Sequence, residues 1–337
     1  KKGEKVLVRQ AYVLYNTTRA PRFSQAGIRG ACECVQKKGM SMHNSLMRWL
    51  GLVMILIVAP GIAAQDLQDY LSRYLGDNGK KYLQPLGDAF GANLNSGLYH
   101  TAHIPRVGLH VGVEVVATGA LISDAQRSFT ATTEAGFEPQ TSLEVPTVFG
   151  ETAPVAVPGQ GGTVYNFPGG YDLSVMPLAM PQITIGSLLG SEVTLRYAAL
   201  ELNEEVGDLN LLGIGFRHSL SQYIPLFPVD VAASVFYQTL TVGDLLDAKT
   251  RVIGLSASKT FNLFTLFGGL SHETSVMEAS YEHGEGEEAE TISFDLEGAN
   301  SVRLTLGATL KLAIFRLHAD YSLAAQNSAC VGLYIGL

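Results

Sequence analysis

The run Val302-Arg303-Leu304-Thr305-Leu306-Gly307-Ala308-Thr309-Leu310-Lys311 places Val302, Leu304, Leu306, Ala308 and Leu310 on one side of the chain and Arg303, Thr305, Gly307, Thr309 and Lys311 on the other. A period of two is that of a β-strand, whose successive side chains point to opposite faces. The alternation returns in Leu317, Ala319, Tyr321 and Leu323 against Arg316, His318, Asp320 and Ser322, and again in Ala329, Val331, Leu333, Ile335 and Leu337. Each segment is a ribbon with one oily and one polar face.

Period two does not say which face meets solvent. In a soluble barrel or sandwich the apolar set fills a core; in a membrane barrel it faces lipid. Here the polar face is rich in Gly, Ser and Thr, and the strands reach the ~9–11 residues that a tilted crossing of the hydrocarbon needs. The expected fold is therefore all-β, a transmembrane antiparallel barrel of about 10 to 12 strands.

Composition agrees. The 337 residues are 47% hydrophobic with mean hydropathy +0.18, yet the body has no helix-length apolar run, so apolar surface must be spread along strands. The one long apolar stretch, Trp49 to Ala59, is too short for the ~20 residues of a spanning helix. With Arg48 before it and Pro60, Ile62, Ala63 and Ala64 after it, the stretch reads as a signal peptide over 40–64, cleaved after Ala64. Residues 1–39 lack any Met and share no pattern with the rest of the chain, so they read as a spurious upstream extension. Up to Gln65 the chain holds 10 of its 23 basic and 2 of its 31 acidic residues, leaving 13 against 29, a balance near −16. That argues against nucleic acid, which needs a clustered basic face. Cys330 is the only cysteine after the leader, which excludes an intramolecular disulfide and a Cys-x-x-Cys zinc site. No cofactor or metal is indicated.

Residues 65–98 read as an N-terminal helical segment. Leu67, Tyr70, Leu71, Tyr74 and Leu75 form a helical stripe stopped by Gly76, Asp77, Asn78 and Gly79, a weaker stretch runs from Lys80 to Phe90, and Gly91 to Gly97 is turn-prone. The segment is either a plug entering the barrel or a helix on its rim. The barrel occupies 99–337, starting at Val107, Leu109, Val111, Val113 and Val115, with a shorter strand from Arg127 to Thr133. Glu134 to Met180, rich in Pro and Gly, is a long external loop. Strands resume at Gln182 to Ser187, Glu192 to Leu200, Leu209 to His218, Val229 to Thr241, Thr250 to Thr260, Leu263 to Tyr281 and Thr291 to Lys311. Turns at Leu188 to Ser191 and Leu312 to Phe315 are short; Glu201 to Asp208, Gly243 to Lys249 and Glu282 to Glu290 read as longer polar connections. This count gives eleven strands, whereas single-chain bacterial barrels have an even number. Ten results if Val107 to Thr133 is one strand, twelve if another hides between Tyr165 and Met180.

The stretches Pro181-Gln-Ile-Thr-Ile-Gly186, Gly190-Ser-Glu-Val-Thr-Leu-Arg-Tyr197 and Gly213-Ile-Gly-Phe-Arg-His-Ser-Leu-Ser-Gln-Tyr-Ile-Pro225, with Phe227 to Val231, Ser258 to Phe261 and Gly268 to Leu270, resemble a bacterial outer-membrane barrel family of unknown function, common in Bacteroidota. The resemblance covers Tyr82 to Leu337 and implies location and architecture, without an activity. A helical segment ahead of a barrel is also similar in layout to the long-chain fatty-acid transporters, which implies passage of hydrophobic molecules past a plug.

On these registers the lumen-facing residues are His110, Glu114, Arg196, Arg303, Lys311, Arg316, His318 and Asp320. Buried charges need partners, so mixed signs point to a hydrogen-bonded network in a narrow barrel, or else to a polar conduit. His218 with Ser219 or Ser221 suggests a barrel-embedded lipid hydrolase, but odd spacing puts His218 and Ser221 on opposite sides, and no catalytic residue is assigned. The run Glu282, His283, Glu285, Glu287, Glu288, Glu290 reads as a solvated external loop or a Ca²⁺ site.

The expected protein is an outer-membrane barrel, not an enzyme, that passes a small or hydrophobic solute, with outer-membrane lipid and the barrel assembly machinery as partners. The alternative is a structural or surface-interaction barrel without transport. A continuous lumen and a lateral opening favour transport, and Asp66 to Leu98 lying in the lumen favours a gate; a packed interior with an ordered external loop favours surface interaction.

Overall fold

The computed structural model describes residues 76–203, 207–224, 226–283 and 290–336. The expected signal peptide, the upstream extension and the stripe from Leu67 to Leu75 lie outside these residues.

An antiparallel ladder runs through β1 (His110–Leu121), β6 (Val175–Leu188), β7 (Ser191–Asn203), β8 (Gly207–Ser219), β9 (Asp230–Val242), β10 (Leu246–Phe261), β11 (Phe264–His283), β13 (Val302–Leu312), β14 (Phe315–Leu323) and β15 (Ser328–Gly336). The last strand pairs back onto the first from Gly112↔Gly336 to Ala120↔Ser328, closing a ten-stranded barrel. Closure pairs the last strand with the first, and a closed ladder is the condition for strands to sit in hydrocarbon. β12 (Glu290–Glu297) takes the same edge of β11 above residues 298–301 that β13 takes below them, so β12 and β13 are one interrupted strand.

Burial settles which face is oily. Leu304, Leu306, Leu333 and Ile335 are 41%, 55%, 46% and 42% exposed, whereas Arg303 and Tyr334 between them are 2% exposed. The apolar ribbon faces out and the charged ribbon faces in, the arrangement of a membrane barrel.

At one end, the turn end, β15 finishes, β1 begins, and two-residue turns join β6 to β7, β10 to β11 and β13 to β14. The opposite, loop end carries residues 122–174. There β2 (Ser128–Thr132) pairs with β3 (Ser142–Pro146), and β4 (Val155–Pro158) with β5 (Val164–Phe167), both outside the barrel wall. The strand expected at Arg127 to Thr133 is therefore part of the cap, which brings the wall to ten. Two connections read as long are short: β9 and β10 are separated only by residues 243–245, and β7 and β8 only by 204–206.

The larger departure is β6, which begins at Val175 rather than Gln182. Met176, Leu178 and Met180 point inward but are apolar, because the lumen beside them is filled by a helix; with Pro177 and Pro181 between them, alternation disappears. β6 pairs with β1 along its whole length but with β7 only from Leu188↔Ser191 to Gln182↔Arg196. Ile122 N–H donates to the Ser174 carbonyl, just ahead of β6. Counting by twos from that pair turns the nitrogens of Pro177 and Pro181 away from β1 and toward β7, where neither can donate. The wall thus has a seam between Val175–Pro181 and Tyr197–Glu201, where the paired ladder of β6 and β7 does not continue.

Candidate functional site

Helix α1 (Asp77–Leu94) fills the loop-end half of the lumen, packed on the inward faces of β1, β6, β10, β11 and β12. Asp77, Asn78 and Gly79, expected to stop a helix, form its first turn, and the helix runs past Phe90 to Leu94. Tyr82, Leu83, Leu86 and Leu94 are buried among Met176, Leu178, Met180, Leu211, Leu240, Met277 and Leu296. The external cap holds its start: Asn78 Nδ2 donates to Thr132 O at 2.8 Å, Tyr82 OH to Gly169 O at 2.9 Å and Val148 N–H to Tyr82 O at 3.2 Å. Asp88 accepts from Gln84 and from the Ala299 N–H in the break between β12 and β13; burial raises its carboxyl above the ordinary value, against those two bonds.

Two wall arginines hold the other end. A helix C-terminus presents unpaired carbonyls and partial negative charge. Arg196 donates through Nη1 to Leu94 O at 2.8 Å, and through Nη2 to Ser96 O at 2.8 Å and Gly97 O at 2.7 Å, while Nε reaches Gln182 and Nη1 also reaches Gln238. None of these acceptors is a carboxylate; carbonyl dipoles balance the charge. On the far wall Arg303 grips Glu273 with Nε at 2.8 Å and Nη2 at 3.1 Å, and donates also to Ala92 O, Ser96 Oγ and Ser328 Oγ. Gly97 turns the chain here at φ +62°, where a Cβ would lie 2.8 Å from Cys330 Sγ and 3.1 Å from Val116.

Below this belt residues 95–109 descend the lumen as a strap. Tyr99 meets Phe267 edge-on and lies under the Arg217 guanidinium at 5.2 Å. His100 lies beside Tyr334, and its Nε2 accepts from Arg316 at 3.1 Å. Ala102 N–H donates to Ser258 Oγ at 2.9 Å, and Arg217 bridges Thr101 O and Glu192. Between strap and wall lies a vestibule of about 400 Å³ at the turn end, lined by His100, His110, Glu114, Glu192, Arg217 and Arg316 among others.

All eight residues expected in the lumen are inward. Glu114 accepts from His318 Nε2 at 2.5 Å and from Gln182 at 2.5 Å, and Asp320 lies two residues along β14 from His318. Arg196 and Arg303 are the two clamps, His110 contacts Ser187 and Glu192, Arg316 covers the Tyr334 ring at 4.8 Å, and Lys311 stands at the rim of the vestibule. Sequence reading missed Glu273, Glu192, Arg217, Gln182, Gln238, His100 and Ser96. Glu273 comes directly after His272, so either could have been the inward one; the structure turns Glu273 in, at 1% exposure, and His272 out.

His218 meets neither Ser219 nor Ser221. It faces outward at the turn end, with Nδ1 2.7 Å from Ser191 Oγ and Nε2 near Tyr223 OH and Gln222, and no carboxylate among these contacts. The side chains of the acidic run from Glu282 to Glu290 lie outside the described residues.

Comparison with characterised proteins yields no significant match. Among solved structures the chain is similar to the outer-membrane protein OmpT of Vibrio cholerae at 10% identity and TM-score 0.24, over 68% of this chain and 100% of that one. It is similar to the toluene transporter TbuX of Ralstonia pickettii at 9% and 0.21, over 74% and 98%, and to a Pseudomonas aeruginosa FadL homologue at 7% and 0.23, over 74% and 96%. Overlaps this loose leave the fold resting on the strand ladder itself. The sequence is decisive about kinship: residues 42–337 match a single family model, and the chain belongs to the family of unknown function DUF6588.

Proposed function

We propose that this barrel sits in the outer membrane, with its turn end in the periplasm, and exchanges an apolar solute with the bilayer through the β6–β7 seam. The seam is the observation that carries the reading. It borders an apolar stretch of lumen, where Met176, Leu178 and Met180 share one cluster with Leu83, Leu86 and Leu94 of α1. Magnitudes favour the seam over departure of the plug. Withdrawing α1 exposes four fully buried large side chains at about 2 kcal/mol each, and breaks both arginine clamps as well. Parting the seam breaks no paired ladder between β6 and β7. Onward passage to the vestibule then needs a local shift of the strap near Leu98 and Tyr99.

The test is a reversible staple. Counting on from Gln182↔Arg196, Met180 and Ala198 face one another across the seam, both inward. Met180→Cys with Ala198→Cys, in a background where the native cysteines are Ser, is oxidised in vesicles, and entry of the apolar dye N-phenylnaphthylamine is followed. The reading expects uptake to fall on oxidation and return on reduction. Equal uptake in both states, no greater than in protein-free vesicles, contradicts it. That result would favour the second reading, a surface-interaction barrel, which the external cap held on Asn78 and Tyr82 supports.

A further inference from the structure

On the lumen face of β14 two facing atoms have no hydrogen bond. His318 Nδ1 and Asp320 Oδ2 are both buried and unpartnered, and they face each other at 3.8 Å. His318 Nε2 is engaged with the Glu114 carboxylate, which only accepts, so Nε2 carries a proton and Nδ1 is the nitrogen open to a further cation. Two acceptors facing each other in a dry interior call for a cation between them, either a second proton on the imidazole or a metal ion. The third group at this point is Cys330, which pairs with Asp320 across β14 and β15; its Sγ, His318 and Asp320 offer ligand atoms all within 4.8 Å of one another.

We propose that His318 Nδ1, Asp320 Oδ2 and Cys330 Sγ bind one divalent transition-metal ion of the zinc type. Donor chemistry fits: a nitrogen, a carboxylate oxygen and a thiolate are the ordinary zinc set. Geometry is near. With arms of ~2.0–2.1 Å, a tetrahedral N···O edge is about 3.4 Å, a few tenths shorter than the 3.8 Å gap. Glu114 supplies the carboxylate that orients a metal-bound histidine through its other nitrogen.

Charge argues the same way. The belt holds two arginines, Arg196 and Arg303, against three carboxylates, Glu114, Glu273 and Asp320, and so carries one uncompensated negative charge when His318 is neutral. A divalent ion that displaces the thiol proton to solvent adds a net single positive charge and leaves the belt neutral, as a second proton on His318 also does, and Co²⁺ binding separates the two. The neighbouring triad of His100, Glu114 and His318 is less suited: Arg316 donates to His100 Nε2, so the His100 proton sits on Nδ1, the atom facing Glu114.

The experiment uses the full chain with Cys32→Ser and Cys34→Ser, so that Cys330 is the sole thiol, refolded into detergent after chelation and titrated with Co²⁺. The expected result is one equivalent bound per chain, with tetrahedral visible bands and a thiolate-to-cobalt charge-transfer band. Cys330→Ser abolishes that band, and Asp320→Asn weakens binding at least tenfold, in protein that still shows the folded heat-modifiable band on gels. Should either variant fail to fold, the parent spectrum decides, because no other thiol can give the charge-transfer band. Saturating Co²⁺ without that band, or with the same affinity in Asp320→Asn, overturns the proposal.

Discussion

Replacing Arg303 by Met removes a charge the barrel cannot do without while keeping most of the side chain's length. The guanidinium has five N–H donors, and the structure uses five contacts for them: both Glu273 oxygens, Ser96 Oγ, Ser328 Oγ and Ala92 O. Arg303 is 2% exposed and Glu273 1%, so the carboxylate left behind has no water to turn to. Breaking such a pair from one side costs about 3–5 kcal/mol, a large share of the ~5–15 kcal/mol that holds a domain together. Removing both charges, in Arg303→Met with Glu273→Leu, should recover most of that loss, since apolar replacement of a buried pair is often neutral or better. The exposed pair Lys249–Asp247, at 54% and 37% exposure, is the control, and Lys249→Met should leave the unfolding midpoint nearly unchanged. Equilibrium urea unfolding in lipid vesicles, read by far-ultraviolet circular dichroism and heat-modifiability, measures all three. A cost below about 1 kcal/mol for Arg303→Met, or no recovery in the double variant, would mean that Glu273 is solvated and the belt is not a dry clamp.

Single contacts set the other expectations. Arg196→Met leaves the carbonyls of Leu94, Ser96 and Gly97 without their donor, and should destabilise by about 2–4 kcal/mol while raising conductance in planar bilayers, because the end of α1 is freed. Gly332→Ala places a Cβ 2.0 Å from His318 Nε2; it should break the bond to Glu114 and lower the urea midpoint, whereas Ala329→Gly on the outer face of the same strand should have a smaller effect. Asp88 has its carboxyl raised by burial, so the neutral form is the one favoured in the fold. Its stabilising contribution is present below the ordinary carboxylate range and lost as pH rises through the raised value, so Asp88→Asn should flatten that decline and be more stable than wild type at neutral pH. Pro177→Val with Pro181→Val restores two N–H donors toward β7, and should lower dye uptake without loss of stability.

The wall was legible wherever lipid lies on one side and polar lumen on the other. Val302 to Lys311, Leu317 to Leu323 and the run from Ala329 onward keep strict alternation for that reason, and it sufficed to turn Arg303, His318 and Asp320 inward. Legibility failed where the lumen is apolar. Beside α1 the inward positions Met176, Leu178 and Met180 are as greasy as the outward ones, and period two vanishes although the strand persists. Pro177 and Pro181, which on composition alone belong to a loop, are instead the mark of an unpaired edge. The helix start was hidden because Asp77, Asn78 and Gly79 are poor helix formers; in the structure Asn78 bonds Thr132 and Gly79 is buried, so tertiary contact overrides propensity. Glu273, Gln182 and Ser96 act only through partners distant in sequence, and no local pattern ties them to Arg303 or Arg196. Ser96 and Gly97 lay in a segment recognisable as a turn, but not as a seat for two guanidinium groups.

The central claim is that lipid touches the even side chains of β13 and the odd ones of β15, while α1 sits in the lumen away from it. Single tryptophans in a Trp49→Phe background, placed at Leu306, Leu333 and Phe90 and read in vesicles of brominated lipid, test this directly. The account predicts strong bromine quenching at Leu306→Trp and Leu333→Trp and none at Phe90→Trp. Quenching at Phe90→Trp equal to that at the wall positions, or none at Leu306→Trp, would contradict it.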